Sequence, residues 1–371
     1  MRTHITATFA VVLLVGGCTG SSSRPAALTT SSPTPTVTVA PSSSPSASAS
    51  ASPGSVQQQG FRPLSTSFIS LRSGWFLGTR TCGSRTCREL FRTRDGGRSF
   101  SRLTAPPAPT TQIRFANASD GWAFTSEQSV PAPGLWRTHD GGRHWVRVVR
   151  DRAVVSLEAA RGRVWAVMLM PDGLGPQLMT GSVTGNSLTK VMDVPNRSGF
   201  LVLFGDTVYV VGVRGAGPIA PSITAVDAAG THTRHAPPCS EAFDLAAAAR
   251  HDLVAVCFGE PGAGEQRKRA FRSTDGGLSW RRLPDPPVAG YTGGLGQLAA
   301  LGDLTLLTGG RSDIERERAS GPWRSVLATE DGAGFTYVGL TDARHGVALS
   351  WTTVWLTSDG GSSWRPLRFP R

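Results

Sequence analysis

The segment Trp136-Arg-Thr-His-Asp-Gly-Gly-Arg-His-Trp145 decides the fold, because its pattern recurs along the chain. An aromatic residue stands four positions before an aspartate, a threonine or serine two positions before it, and a second aromatic residue five positions after it. The other complete copies are FRTRDGGRSF (91–100), FRSTDGGLSW (271–280) and WLTSDGGSSW (355–364). Two glycines after an aspartate favour a tight hairpin, since glycine accepts the positive φ angles that other residues resist.

The spacing of the aspartates gives the length of the repeating unit. Asp140 follows Asp95 by 45 residues, and Asp275 follows Asp140 by 135 residues, which is three units of 45. Two degenerate copies are therefore expected near residues 185 and 230. The complete set of expected hairpin positions comprises Asp95, Asp140, Thr180–Ser182 with Gly185, Asp227–Gly230, Asp275, a shortened copy with Asp331 at Leu327–Phe335, and Asp359.

A second element precedes the hairpins and completes the unit. Ser73–Phe76 and Asp120–Ala123 each carry Gly-Trp or a close equivalent about 20 residues before an aspartate. Each unit then predicts four strands: an inner strand A, the Gly-Trp strand B, strand C before the aspartate, and an arginine-bearing outer strand D. Four strands in a period of roughly 45 residues are typical of a β-propeller blade. We predict an all-β protein with a seven-bladed propeller of four-stranded antiparallel blades over residues 57–371.

The hairpin motif resembles the Asp-box, or BNR repeat, of sialidase and Vps10-type propellers. Together with the Gly-Trp element it is also similar to propellers related to photosystem II assembly factors. The resemblance extends over residues 61–369. It implies a structural role for the repeated aspartates, which can accept N–H groups of their own turns.

The N-terminal segment predicts export and lipidation. Residues 1–17 combine Arg2 with an uncharged stretch that is too short to span a bilayer. Val15-Gly16-Gly17-Cys18 resembles the lipobox of bacterial lipoproteins, which implies a diacylglyceryl group on Cys18 and an extracytoplasmic location at the cell membrane. A plain secretory signal cut elsewhere is the alternative. Residues 18–56 are rich in Ser, Thr, Pro and Ala and predict a disordered tether.

Four further cysteines favour an oxidising compartment. Pairing Cys82 with Cys87 and Cys239 with Cys257 is the simplest of three connectivities. A redox or metal-binding role for the first pair is the alternative to a structural one. We expect no cofactor and no metal.

The charge of the chain is basic, at +12, and 36 of its 38 basic side chains are arginines. In a propeller, A–B and C–D turns lie on one face, and B–C and D–A loops on the other. The B–C loops expected at Thr79–Arg88, Thr125–Gly134, Met170–Gln177, Arg214–Ser222, Gly259–Ala270 and Gly310–Pro322 vary in sequence, as binding loops do. Their candidate binding residues are Arg80, Arg85, Arg214, Arg267, Lys268, Arg269 and Arg311.

A basic loop face would attract acidic partners. We expect a monomer that binds a protein of the cell envelope, or an anionic glycan or wall polymer, and the export signal disfavours nucleic acid. An ordinary solvated surface is the alternative to a binding face.

A sialidase-like glycoside hydrolase is the alternative function. The resemblance to sialidases implies an arginine cluster, a tyrosine nucleophile with a glutamate, and an aspartate acid. Tyr209 lies in an apolar strand-like run and Tyr337 is expected on a strand D, so Tyr291 is the candidate nucleophile. Phe61-Arg62-Pro63-Leu64 lacks the Ile-Pro order of the sialidase signature, and no suitably spaced glutamate is evident. We therefore favour a non-catalytic binding or assembly module.

Overall fold

A computed structural model describes residues 60–370, apart from 126–132, 171–174, 196–198, 213–219, 263–264, 288–297, 309–312 and 330–333. The described residues form seven sheets, each built from four antiparallel strands that are consecutive in the chain. No helix in this part of the chain is long and apolar enough to cross a membrane.

The first four blades are formed by the N-terminal part of the propeller sequence. Blade 1 consists of β1 (Arg62–Phe68), β2 (Gly74–Cys82), β3 (Arg85–Thr93) and β4 (Ser101–Leu103). Blade 2 consists of β5 (Gln112–Phe115), β6 (Gly121–Phe124), β7 (Gly134–Thr138) and β8 (Val146–Arg150). Blade 3 consists of β9 (Val154–Ala160), β10 (Arg163–Leu169), β11 (Pro176–Ser182) and β12 (Thr189–Asp193). Blade 4 consists of β13 (Gly199–Phe204), β14 (Thr207–Gly212), β15 (Ser222–Val226) and β16 (His232–His235).

Three further blades complete the ring. Blade 5 consists of β17 (Ala242–Ala249), β18 (Asp252–Gly262), β19 (Glu265–Ser273) and β20 (Arg281–Arg282). Blade 6 consists of β21 (Leu298–Leu301), β22 (Leu304–Thr308), β23 (Asp313–Arg318) and β24 (Arg324–Ala328). Blade 7 consists of β25 (Phe335–Leu340), β26 (Gly346–Ser350), β27 (Val354–Thr357) and β28 (Arg365–Pro366).

The hydrophobic core lies between the blades rather than within one layer. Seven clusters of buried residues are present in the described part of the chain, and each joins two neighbouring blades. Between blades 1 and 2, for example, the ring of Trp75 stacks on Phe115 with centroids 3.9 Å apart. Seven interfaces between seven blades require a closed ring, since an open row would have six. The predicted seven-bladed propeller is confirmed.

Blades 7 and 1 close the ring without exchanging a strand. All strands of blade 1 come from one end of the propeller sequence and all strands of blade 7 from the other. The seventh core cluster joins them: Phe61, Phe76 and Phe91 of blade 1 pack against Val347 and Leu349 of blade 7. Closure therefore depends on side-chain packing.

The sixth hairpin differs from its sequence-based assignment. The segment Leu327–Phe335 runs from β24 to β25, so it joins blade 6 to blade 7 and does not link strands C and D; Asp331 itself lies outside the described residues. The C–D turn of blade 6 follows β23 instead, and Ala319 and Ser320 adopt φ angles of 53° and 63° there. This turn lies about 45 residues after Asp275, where the period places it. The Asp-Gly-Gly sequence is absent from this turn, which reads Ala319-Ser320-Gly321, and the motif therefore could not locate it.

Candidate functional site

The two faces of the ring differ in construction. We call the face with the A–B turns and the C–D Asp-Gly hairpins the hairpin face, and the face with the B–C and D–A connections the loop face. The hairpins with Asp95, Asp140, Asp275 and Asp359 share one set of hydrogen bonds, described next for one of them.

Asp359 is the centre of its hairpin. Its Oδ1 accepts the hydroxyl of Thr357 at 2.9 Å and the backbone N–H of Ser363 at 2.9 Å, and its Oδ2 accepts the Ser363 hydroxyl at 2.6 Å. Burial alone would raise the pKa of Asp359, but these donors outweigh it and lower the pKa. Hydrogen bonds from Ser99 and Ser279 likewise lower the pKa values of Asp95 and Asp275. Carboxylates that are committed to their own turns in this way hold the hairpin.

A weaker version of this hairpin is present in blade 4. Asp227 Oδ1 accepts the N–H groups of Ala229 and Thr231, both at 2.9 Å, between β15 and β16. In blade 3 the turn after Ser182 has no aspartate, although Gly185 donates to the Ser182 carbonyl at 3.1 Å. The two degenerate copies therefore lie at C–D turns, as the period predicts.

In blades 2, 5 and 6, an arginine on strand C connects its blade to the next one. Three residues before the aspartate, Arg137 lies over Trp122 and donates to Asn186 Oδ1 of blade 3 at 3.1 Å. The corresponding Arg272 donates to the Gly302 carbonyl of blade 6 at 2.8 Å. From strand C of blade 6, Arg316 donates to the Gly360 carbonyl of blade 7 at 2.7 Å. These three arginines therefore stabilise blade interfaces.

Both predicted disulfides are present. Cys82 pairs with Cys87 at the tip of the β2–β3 hairpin, and Cys239 pairs with Cys257. Cys239 lies in the D–A connection before blade 5, while Cys257 lies within β18 and not at its end. Both bonds lie on the loop-face half of their blades.

Only some of the candidate binding residues of the loop face are exposed. Arg85 and Arg267 are exposed, whereas Arg80 pairs with Glu89 at 3.0 Å and Arg269 pairs with Glu241. Lys268 was expected on an exposed loop, but it lies in β19 with 1% of its surface exposed and donates to the Pro287 carbonyl at 3.2 Å.

Other sequence-based assignments lie outside the described residues or are changed by the structure. Arg214 and Arg311 lie outside the described residues, as does Cys18. The segment Gly310–Pro322, expected to be a B–C loop, includes strand C of blade 6 (β23) and part of the C–D turn after it.

The central channel forms a cavity of about 480 Å³ lined by the innermost strands. Arg114 on β5 donates through Nε to Glu158 Oε1 on β9 at 3.0 Å, and Tyr337 on β25 lines the same cavity. Burial lowers the pKa of Arg114, but the nearby Glu158 and Tyr337 raise it by more, so the pKa of Arg114 is raised overall. Burial raises the pKa of Tyr337, Arg114 opposes this, and Glu158 reinforces it. At neutral pH the cluster is therefore an ion pair beside a protonated phenol.

This cluster corrects two sequence-based expectations. Tyr337 lies on strand A of blade 7 and not on a strand D, and a glutamate does accompany it. Sequence spacing could not reveal the group, because its members come from three different blades. Tyr209 donates to the Arg250 carbonyl at 3.0 Å, Arg62 is exposed at the start of β1, and Tyr291 lies outside the described residues.

Asp244, which also lines the channel, accepts hydrogen bonds from two backbone N–H groups. Asp244 Oδ1 accepts the N–H of Leu245 at 2.9 Å and its Oδ2 accepts the N–H of Leu298 at 3.1 Å, which ties β17 to β21. Among the described channel residues, Glu158 and Asp244 therefore both accept hydrogen bonds from the protein. No cluster of three metal-ligating side chains occurs in the described part of the chain.

Comparison with known proteins shows the fold. No family model matches the chain, and no curated protein matches it by sequence. An ancestral GH74 enzyme aligns at 14% identity with a TM-score of 0.56, covering 83% of this chain and 46% of its own. This chain therefore spans less than half the length of that enzyme.

Two further solved structures align over most of both chains. Virginiamycin B lyase from Staphylococcus aureus, solved in a catalytically inactive form with quinupristin, aligns at 13% identity with a TM-score of 0.52, covering 82% of this chain and 94% of its own. The propeller domain of the Trilobed protease from Pyrococcus furiosus, which has an open velcro topology, aligns at 10% identity with a TM-score of 0.52. The alignment covers 84% of this chain and 98% of that domain. At these identities the likeness establishes the propeller fold alone.

Proposed function

We propose that this propeller is a non-catalytic binding module, held outside the cytoplasm by a lipid on Cys18, and that its loop face binds an acidic protein surface. The observation that supports this most directly is the bracing of the loop face by both disulfides. A rigid platform loses little conformational entropy on binding. The exposed guanidinium groups of Arg85 and Arg267 supply charge on this platform.

Crosslinking in intact cells tests the binding face. The full chain with a C-terminal affinity tag is compared with R85E/R267E and with the matched variant R94E/R344E, which changes two exposed arginines on the hairpin face. We expect the loop-face variant to lose its crosslinked protein partner and the matched variant to keep it. Equal behaviour of the two variants would contradict the proposed face.

The anchor has a separate test. Cys18→Ser removes the acceptor thiol, and two or more acyl chains are needed for stable membrane attachment. We expect C18S to leave the membrane fraction while the native chain remains in it. Equal membrane retention of both chains would rule out a lipid on this residue.

A sialidase-like glycoside hydrolase is the second candidate, and the Arg114–Glu158–Tyr337 cluster is the observation that favours it. Hydrolysis of a fluorogenic sialoside, and of a panel of neutral glycosides, is measured for the native chain, E158Q and Y337F. Turnover that is lost in both variants would replace the binding proposal. No turnover by the native chain supports binding alone.

A further inference from the structure

Blade 7 has no arginine on strand C that could cross to the next blade, and the same is true of blades 3 and 4. In the motif of blade 7, Leu356 stands three residues before Asp359, at the position held by Arg92, Arg137 and Arg272 in blades 1, 2 and 5. Arg92 lies over Trp75 at 4.4 Å and against Gly141 of blade 2, where an added Cβ would be 2.8 Å from its Nη1. Leu356 makes only apolar contact with blade 1, where a Cβ added to Gly97 would be 3.3 Å from its Cδ1, and a space lined by Leu356 remains on the hairpin face.

The space left open is a groove of about 540 Å³, which we call the seam groove. Its walls are the hairpins of blades 7 and 1, and Leu356 lies in its lining. Three arginines line it as well: Arg72, Arg98 and Arg365 are exposed, and none forms an ion pair within the described residues. A cavity with several unpaired guanidinium groups is suited to carboxylate, sulfate or phosphate groups.

The acidic group in the groove does not neutralise it. Asp95 lines the groove, but Thr93, Arg98 and Ser99 donate hydrogen bonds to its Oδ1 at 2.8 to 2.9 Å. The carboxylate of Asp95 is therefore stabilised by donors of its own hairpin. Three guanidinium groups and one committed carboxylate leave a net positive cavity.

The remaining lining matches a hydroxylated ligand. The hydroxyl-bearing side chains of Thr341, Ser358 and Ser363 line the groove, together with the half-buried ring of Trp364. The Thr341 and Ser363 hydroxyls already donate to the His345 carbonyl and to Asp359 Oδ2, so they can accept hydrogen bonds from sugar hydroxyls. An indole ring offers an apolar wall to the C–H face of a sugar. The seam groove also shares Phe68, Thr341 and Val347 with a smaller cavity of about 170 Å³ that includes Arg114 and Tyr337. The polar surface thus continues toward the channel.

We propose that the seam groove binds a segment of an acidic saccharide, with its carboxylate or sulfate groups on Arg72, Arg98 and Arg365. The site lies on the opposite face from the protein-binding surface proposed above and does not depend on that proposal. A variant that loses saccharide binding should still bind the protein partner, and a variant that loses the protein partner should still bind the saccharide.

Calorimetry on the full chain tests the site with defined probes. The acidic probe is a heparin-derived hexasaccharide, the neutral probe is maltohexaose, and hexaglutamate represents an acidic peptide. The variant R72Q/R98Q/R365Q is compared with R150Q/R234Q/R250Q, which removes three exposed arginines that do not line the groove. We expect the hexasaccharide to bind at least about tenfold more weakly to the groove variant, as loss of charged hydrogen bonds implies, and to bind the matched variant with native affinity.

A substitution that fills the groove provides an independent test. Leu356→Arg places in the groove lining the arginine found at this position in blades 1, 2 and 5, and it should abolish hexasaccharide binding even though it adds positive charge. Retained binding in L356R would overturn the proposal, as would equal weakening in the two triple variants. Absence of hexasaccharide binding to the native chain, or equal binding of maltohexaose or hexaglutamate, would also overturn it.

Discussion

The ring of Phe369 packs against the ring of Phe61 with centroids 4.3 Å apart. Phe369 follows the last strand of blade 7, and Phe61 precedes the first strand of blade 1. Phe369 also contacts Phe100 at 4.8 Å and Phe76 at 5.2 Å between ring centroids. The two ends of the propeller sequence are therefore joined by one aromatic cluster, where no shared strand holds them together.

Truncation of Phe369 should weaken this closure. Phe→Ala substitutions in cores cost about 3–5 kcal/mol, and a half-buried ring should lie near the lower end of that range. We expect F369A to reduce the free energy of unfolding by about 3 kcal/mol in urea titrations. The control is W351A, which removes an aromatic side chain that is 57% exposed. Equal stability of F369A and W351A would contradict closure by this cluster.

Arg137 should be essential to the interface between blades 2 and 3. Its side chain is 1% exposed and donates to Asp120 at 3.2 Å as well as to blade 3. Arg137→Met keeps the apolar stem but leaves the buried Asp120 carboxylate with fewer hydrogen-bond donors, which typically costs about 3 kcal/mol or more. The exposed Arg143→Gln is the matched control. Chemical denaturation of both variants checks this, and similar midpoints for R137M and the native chain would count against the inter-blade role.

The repeat period predicted the architecture because it is imposed by local chemistry. An Asp-Gly-Gly turn and its serine or threonine donors fix one C–D hairpin without help from distant residues, so four good copies were enough to locate seven units. The failures have a common physical origin. At Ala319 and Ser320 the C–D turn forms without the Asp-Gly-Gly sequence. The motif therefore placed the sixth hairpin at the Asp-Gly sequence of Asp331 instead.

The candidate sites were harder to predict because they are assembled across blades. Arg114, Glu158 and Tyr337 are more than 40 residues apart from one another in sequence and meet only because their strands line one channel. Lys268 was predicted to be exposed because the length of β18 and β19 cannot be deduced from a hydrophilic stretch. The seam groove could not be predicted for the same reason, because its lining comes from blades 1 and 7, at opposite ends of the propeller sequence.

The disulfide between Cys239 and Cys257 should contribute to stability through the unfolded chain. It closes a loop of 18 residues. Loops of this length restrict the unfolded ensemble by about 3 kcal/mol. We expect C239S/C257S to lower the free energy of unfolding by about that amount, and the smaller loop of C82S/C87S to have less effect. Thiol titration of the unreduced, denatured native chain should find none of these four thiols free; two or more would contradict the pairing.

The hairpin carboxylates should make stability fall in acid. Hydrogen bonds lower the pKa of Asp359 in the folded chain, and a group with a lowered pKa stabilises the fold above its ordinary pKa of about 4. That contribution is lost as the pH falls from this value toward the lower pKa of the folded state. We expect Asp359→Ala to cost about 1 kcal/mol at pH 7 through the lost hydrogen bonds, and less at pH 3. Urea unfolding of D359A and of the exposed control D151A at both pH values measures this, and a D359A effect that grows in acid would reverse the predicted sign.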